Sequence, residues 1–151
     1  MLFDTPFRLG PFTVDTAGGM IPPGDRPARF QVNWRGCMVA ASLRCDPAAE
    51  VARLELSAVI GQVPSSASDG GPRREDALAL LRGMIAAPAA GISVGLSADH
   101  RVMLQAERRI EVPVTASRLI AEVTDFVLAA APYLDLTGES GAMAPAGSAN
   151  T

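Results

Sequence analysis

Between Phe30 and Leu43 the apolar residues alternate with polar ones, and the phase of that alternation flips once, across Arg35-Gly36. Phe30, Val32 and Trp34 lead into the flip, and Cys37, Val39, Ala41 and Leu43 follow it. Alternation with period two belongs to a strand with one buried face. A two-residue hairpin loop at Arg35-Gly36 pairs Trp34 with Cys37, Val32 with Val39 and Phe30 with Ala41, which puts every apolar side chain on the same face. That internal agreement predicts an antiparallel hairpin. Phe30, Val32, Trp34 and Val39 then form one apolar sheet face, a candidate surface for holding a client chain.

The same reading extends along the chain. Ala52, Leu54, Leu56, Ala58 and Ile60 alternate with Arg53, Glu55 and Ser57, predicting a third antiparallel strand after a turn at Asp46-Pro47 and before Gly61 and Pro64. The stretch from Ser65 to Pro72 is loop chemistry, and Glu75-Asp76 place negative charge where a helix start favours it. A helix is predicted from about Arg74 to Ala87, stopped by Pro88. Ile92, Val94 and Leu96 predict a fourth strand, and Val102, Leu104, Ala106 and Ile110 a fifth, joined through Ala98-Asp99-His100. Thr115 or Ser117 caps a final helix whose apolar positions are Leu119, Ile120, Val123, Phe126, Val127 and Ala130, ended or bent by Pro132. Ahead of the hairpin, residues 7–14 predict an irregular strand interrupted by Gly10-Pro11, and a Gly18-Gly19 turn follows. Strands, helix, two strands, helix is the order of an α+β domain: an antiparallel meander of about five or six strands with two helices on one face. The expected organisation is one domain over residues 1–137, with 1–29 an irregular arm or strand, and a disordered tail over 138–151.

Composition narrows the function. The chain has 151 residues, 48% hydrophobic and 19% charged, enough to bury one core. A net charge of -3 offers no positive field for a polyanion, so nucleic acid is an unexpected partner. All 13 basic residues are Arg, and the pairs Arg73-Arg74 and Arg108-Arg109 are too short to make a membrane or nucleic-acid patch. Met1 to Pro6 lack the basic segment and apolar run of a secretory leader, and no stretch reaches the ~20 apolar residues that span a bilayer. A cytoplasmic protein with no membrane partner is the expectation. Cys37 and Cys45, eight residues apart on one strand, are separated by about 26 Å, too far for a disulfide.

Nothing in the residues points to catalysis. His100 has no Cys or second His at metal-ligand spacing, and Asp99 beside it suits a turn. Glu107 and Glu111 share a strand face that looks toward solvent, whereas a catalytic pair needs a pocket that perturbs it. Ser65, Ser66 and Ser68 lack a nucleophile elbow, and no phosphate-binding glycine pattern follows a strand. No catalytic, cofactor-binding or metal-binding residue is expected. The first helix is more informative: Leu78, Leu80, Leu81, Met84, Ile85 and Ala77 occupy an arc of roughly 160°, wider than the ~100° that one sheet covers. Either the surplus packs within the monomer or it meets a second copy, in which case Leu78, Leu81, Met84 and Ile85 are the expected contacts of a homodimer.

This pattern resembles the class I type III secretion chaperones, the family typified by the Tir chaperone, over roughly residues 29–136. The landmarks are Val59-Ile60-Gly61-Gln62-Val63-Pro64 ending a strand, Ala77-Leu78-Ala79-Leu80-Leu81 in the first helix, the hairpin from Ile92 to Ile110 and the closing helix from Ala116. The resemblance implies a small acidic cytoplasmic dimer that binds an extended segment of a secreted effector and keeps it ready for export, using apolar grooves and sheet edges. The family begins with an amphipathic helix, which Pro6, Pro11, Pro22, Pro23 and Pro27 disfavour here. A stand-alone bacterial protein with the fold but no secretion role is the alternative, and a small-molecule binder or enzyme using the concave side of the sheet is a third.

Overall fold

The computed structural model describes residues 3–22, 26–45, 50–66, 71–87, 89, 91–141 and 143. Its body is a five-stranded antiparallel sheet built from β4 (Ala28–Trp34), β5 (Cys37–Cys45), β6 (Val51–Gln62), β7 (Ser93–Leu96) and β8 (Arg101–Glu111), in the order β4-β5-β6-β8-β7. Three short strands, β1 (Phe7–Leu9), β2 (Phe12–Val14) and β3 (Met20–Ile21), form a separate small sheet. The helices are α1 (Pro72–Ala86) and α2 (Ala116–Ser140). The protein is therefore α+β.

The hairpin register is the one that the alternation requires: Trp34 pairs with Cys37, Val32 with Val39 and Phe30 with Ala41. Arg35 and Gly36 both take positive φ, 51° and 73°, as a two-residue turn matched to strand twist demands. Down the sheet, Leu43, Leu54, Val102 and Leu104 are fully buried, and Val39, Leu56 and Ile110 are nearly so. They share one core with Ala77, Leu81 and Met84 of α1 and Leu119, Val123, Phe126, Ala130 and Tyr133 of α2. β6 does not stop at Gly61; it continues to Gln62 through a shift in register between Val59 and Gly61, and both Ile60 and Gly61 are buried there. The opposite face of the sheet carries the polar residues.

Three expectations are corrected. Residues 7–14 are two strands, because Gly10 at φ 57° turns the chain back so that Leu9 pairs with Phe12. Phe12, Val14 and Met20 then reach the core, and the Met20 N–H donates to the Val114 carbonyl at 2.6 Å. The last helix runs through Pro132, and Gly138 to Ser140 form its final turn where a tail is expected. Gly141 closes it at φ 63°, and Met143 is buried. Ile120, counted among the apolar positions of that helix, is 66% exposed. The Asp46-Pro47 turn, Pro88, the middle of the 65–72 loop and residues 144–151 lie outside the described residues.

Candidate functional site

The two edges of the five-stranded sheet are unlike. β7, at one edge, has four residues including Gly95. β4, at the other, has seven, and Arg29 is its only charge. Proteins usually blunt an edge strand by shortening it, charging it, bulging it or covering it. β4 pairs with β5 over its whole length without a bulge. A two-residue turn makes Trp34 and Cys37 a hydrogen-bonded pair, so alternation directs the backbone groups of Phe30 and Val32 toward β5 and those of Arg29, Gln31 and Asn33 away from it.

The side chains of β4 divide in the same way. Arg29, Gln31 and Asn33 are exposed on the polar face, whereas Phe30, Val32 and Trp34 are half-buried and packed against the core. Their partners across the hairpin are more deeply covered: Val39 is 1% exposed and Cys37 2%. Burial thus falls off toward the edge, where no further strand among the described residues pairs with β4. Phe12 supports it at one end, with its ring edge-on to Phe30 at 5.8 Å. At the other end the Arg35 guanidinium lies 5.3 Å from the Trp34 ring centre and pairs with Asp135 of α2 at 2.8 Å.

Across the polar face runs an open trough of about 1020 Å³. Arg29, Ser42, Glu55 and Glu107 cross it in register, one from each of four adjacent strands, and Gln31, Ala40, Ser57, Gln105 and Ser93 form the next row. Glu55 and Glu107 stand directly opposite each other, and Arg53 neutralises Glu107 at 3.2 Å.

No protein-family model, curated protein or solved structure matches this chain.

The remaining candidates occupy ordinary structural positions. In α1, Leu81 and Met84 are buried against the protein's own core, Leu78 is half-buried and Ile85 is 49% exposed, so two of the four residues assigned to a dimer contact are covered within the monomer. His100, at φ 65°, donates its N–H to the Ser97 carbonyl at 3.0 Å and accepts from the Val63 N–H at 2.9 Å. Asp99 accepts from the Ser97 hydroxyl and pairs with Arg101 at 2.9 Å. Together, with the Ser97 hydrogen bond foremost, they hold its carboxyl below the usual range. Burial pushes the thiols of Cys37 and Cys45 up, and both are reduced. Among the described residues, no three His, Cys, Asp or Glu are grouped to hold a metal and no helix is long and apolar enough to cross a membrane. Sequence reasoning found Phe30, Val32 and Trp34 but missed that they lie at an edge, since alternation reveals a face and not the order of strands.

Proposed function

We propose that this chain is a protein-binding chaperone that holds an extended segment of a client as an added strand along β4. The observation that carries the reading is the asymmetry of the sheet: the seven-residue edge is regular and nearly uncharged, and it borders a half-buried apolar row. A strand laid beside β4 takes up the outward backbone groups of Arg29, Gln31 and Asn33, and its alternate side chains cover Phe30, Val32 and Trp34. Fully burying such a side chain contributes roughly 1.5–3 kcal/mol, so a few anchors suffice for affinity while the backbone bonds tolerate varied sequences. The resemblance to secretion chaperones supplies the setting, a cytoplasmic protein keeping an effector segment extended for export, with no catalytic residue or cofactor required.

The test is a proline scan of the edge. Gln31→Pro removes an outward N–H that β5 does not use, a position where an edge strand tolerates proline. Client capture from the native host should fall at least tenfold, with the fold retained by circular dichroism. Undiminished capture would sink the edge reading. A second reading rests on the polar trough, whose cross-strand rows of Arg, Ser, Gln and Glu suit a small polar ligand. Co-purification of a metabolite with no protein client would favour it.

A further inference from the structure

The polar face of the sheet gathers arginines that the sequence keeps apart. Arg44 of β5 stands directly opposite Arg53 of β6, and Arg53 stands directly opposite Arg109 of β8. Residues paired in this way project to the same face, so the three side chains form one row across three adjacent strands, about 4.8 Å from strand to strand. All three are exposed. Like charges set directly opposite each other destabilise a sheet. Only Arg53 is relieved, by Glu107 at 3.2 Å; Arg44 and Arg109 form no ion pair among the described residues. Arg29 adds a fourth positive charge at the charged end of the trough, opposite Ser42 and so diagonal to Arg44. Arg108, next to Arg109 in the chain, takes the other face and turns to Glu122.

We infer that this row binds a small, multiply charged anion of the phosphate class, with its phosphoryl oxygens on Arg44, Arg53 and Arg109. An anion relieves the repulsion along the row, and the guanidinium fork matches the geometry of phosphate oxygens. The length of the row decides between anions. From Arg44 to Arg109 it spans about 10 Å, so the bound charges must be closely spaced. An extended acidic peptide crossing the strands presents the side chains of one face about 6.7 Å apart, out of step with the arginines. Phosphoryl groups joined through a single bridging oxygen are closer together than that. The flanking rows limit the ligand further: Glu55 and Glu107 lie on one side and Glu111 on the other, so a long polyanion that overruns the row meets carboxylates. That restriction agrees with the net charge of -3, which disfavours nucleic acid. The row lies on the face of the sheet, apart from the outward backbone groups of β4, so the inference does not rest on client binding.

The test is isothermal titration calorimetry of the full chain with inorganic triphosphate. Triphosphate should bind at least tenfold more tightly than orthophosphate, because only the longer anion engages several arginines at once. Arg44→Gln and Arg109→Gln should each weaken triphosphate at least about tenfold, the scale of one hydrogen bond to a charged group. Their circular dichroism should be unchanged, because both side chains are exposed. Arg44→Lys should recover part of the loss, since it keeps the charge without the fork. Arg8→Gln, in β1 of the small sheet, should leave the affinity as it is. No binding at millimolar triphosphate, equal affinity for orthophosphate, or a loss in Arg44→Gln and Arg109→Gln no greater than in Arg8→Gln would each overturn the proposal. So would binding of a DNA oligonucleotide, polyglutamate or phosphatidylglycerol vesicles that triphosphate does not displace, which would assign the row to a macromolecule or a membrane.

Discussion

Glu122 is a carboxylate on a helix whose side chain is only 11% exposed, and it earns that position through two arginines. Arg118 of the same helix reaches one oxygen at 2.8 Å, and Arg108 of β8 approaches the other at 3.6 Å. Arg108 also donates to the Gly91 carbonyl at 3.1 Å, so one guanidinium links β8, α2 and the segment before β7. Gly91 takes φ 76°, which favours glycine, and a Cβ there would stand 2.8 Å from the guanidinium tip and displace it. Removing Glu122 leaves a largely covered Arg108 without its carboxylate. Glu122→Ala should therefore cost about 2 kcal/mol, within the range for hydrogen bonds to charged groups, as a shift in the urea midpoint. The exposed pair of Arg53 and Glu107 should contribute less than half as much, since solvent screens it.

At the scale of elements, the β4–β5 hairpin shows how local chemistry and tertiary packing agree. The turn needs two residues at positive φ; Gly36 adopts 73° freely, and Arg35 accepts 51° while its guanidinium contacts Trp34 and Asp135. No atom lies within 4 Å of a Cβ built on Gly36, so a side chain there meets backbone strain alone. Gly36→Ala should destabilise by about 1–2 kcal/mol, the cost of left-handed backbone with a Cβ, without altering the fold. Calorimetric melting with an unchanged circular dichroism spectrum would check it. α2 resolves the opposite case, a local signal overruled. Pro132 removes one helical hydrogen bond, yet residues on both sides are anchored: Ala130 and Tyr133 are buried, and the Tyr133 hydroxyl accepts from the Ala89 N–H. Packing on either side carries the helix past its proline.

For the whole molecule, the sheet has one face in the core, one open to the polar trough, and one long edge that no other described strand pairs. A client added along β4 would extend both the ladder and the apolar row. Binding of this kind should show a negative heat-capacity change in calorimetry, because apolar surface is covered. It should also depend only weakly on salt, since backbone bonds and apolar contacts are not screened as exposed ion pairs are. A steep loss of affinity between low and moderate salt would instead assign the binding energy to charges such as Arg29, Glu55 and Glu107 on the polar face.

The hairpin register, the strand alternation of β6 and β8, the existence of two helices and a cap at Thr115 or Ser117 were all legible in the sequence, and the structure takes Thr115, whose side chain accepts from the Arg118 N–H. Each depends on residues close along the chain, where period and turn chemistry act directly. The small N-terminal sheet was not legible, because Phe12, Val14 and Met20 gain their stability from a core assembled elsewhere. Nor was the choice of faces on the helices. Ile120 and Leu119 are equally apolar neighbours, and only docking on the sheet decides that Leu119 is covered and Ile120 is left outside. The candidate site follows the same division: alternation picks out Phe30, Val32 and Trp34 as one apolar face, but strand order, a property of long-range pairing, alone places them at an edge of the five-stranded sheet.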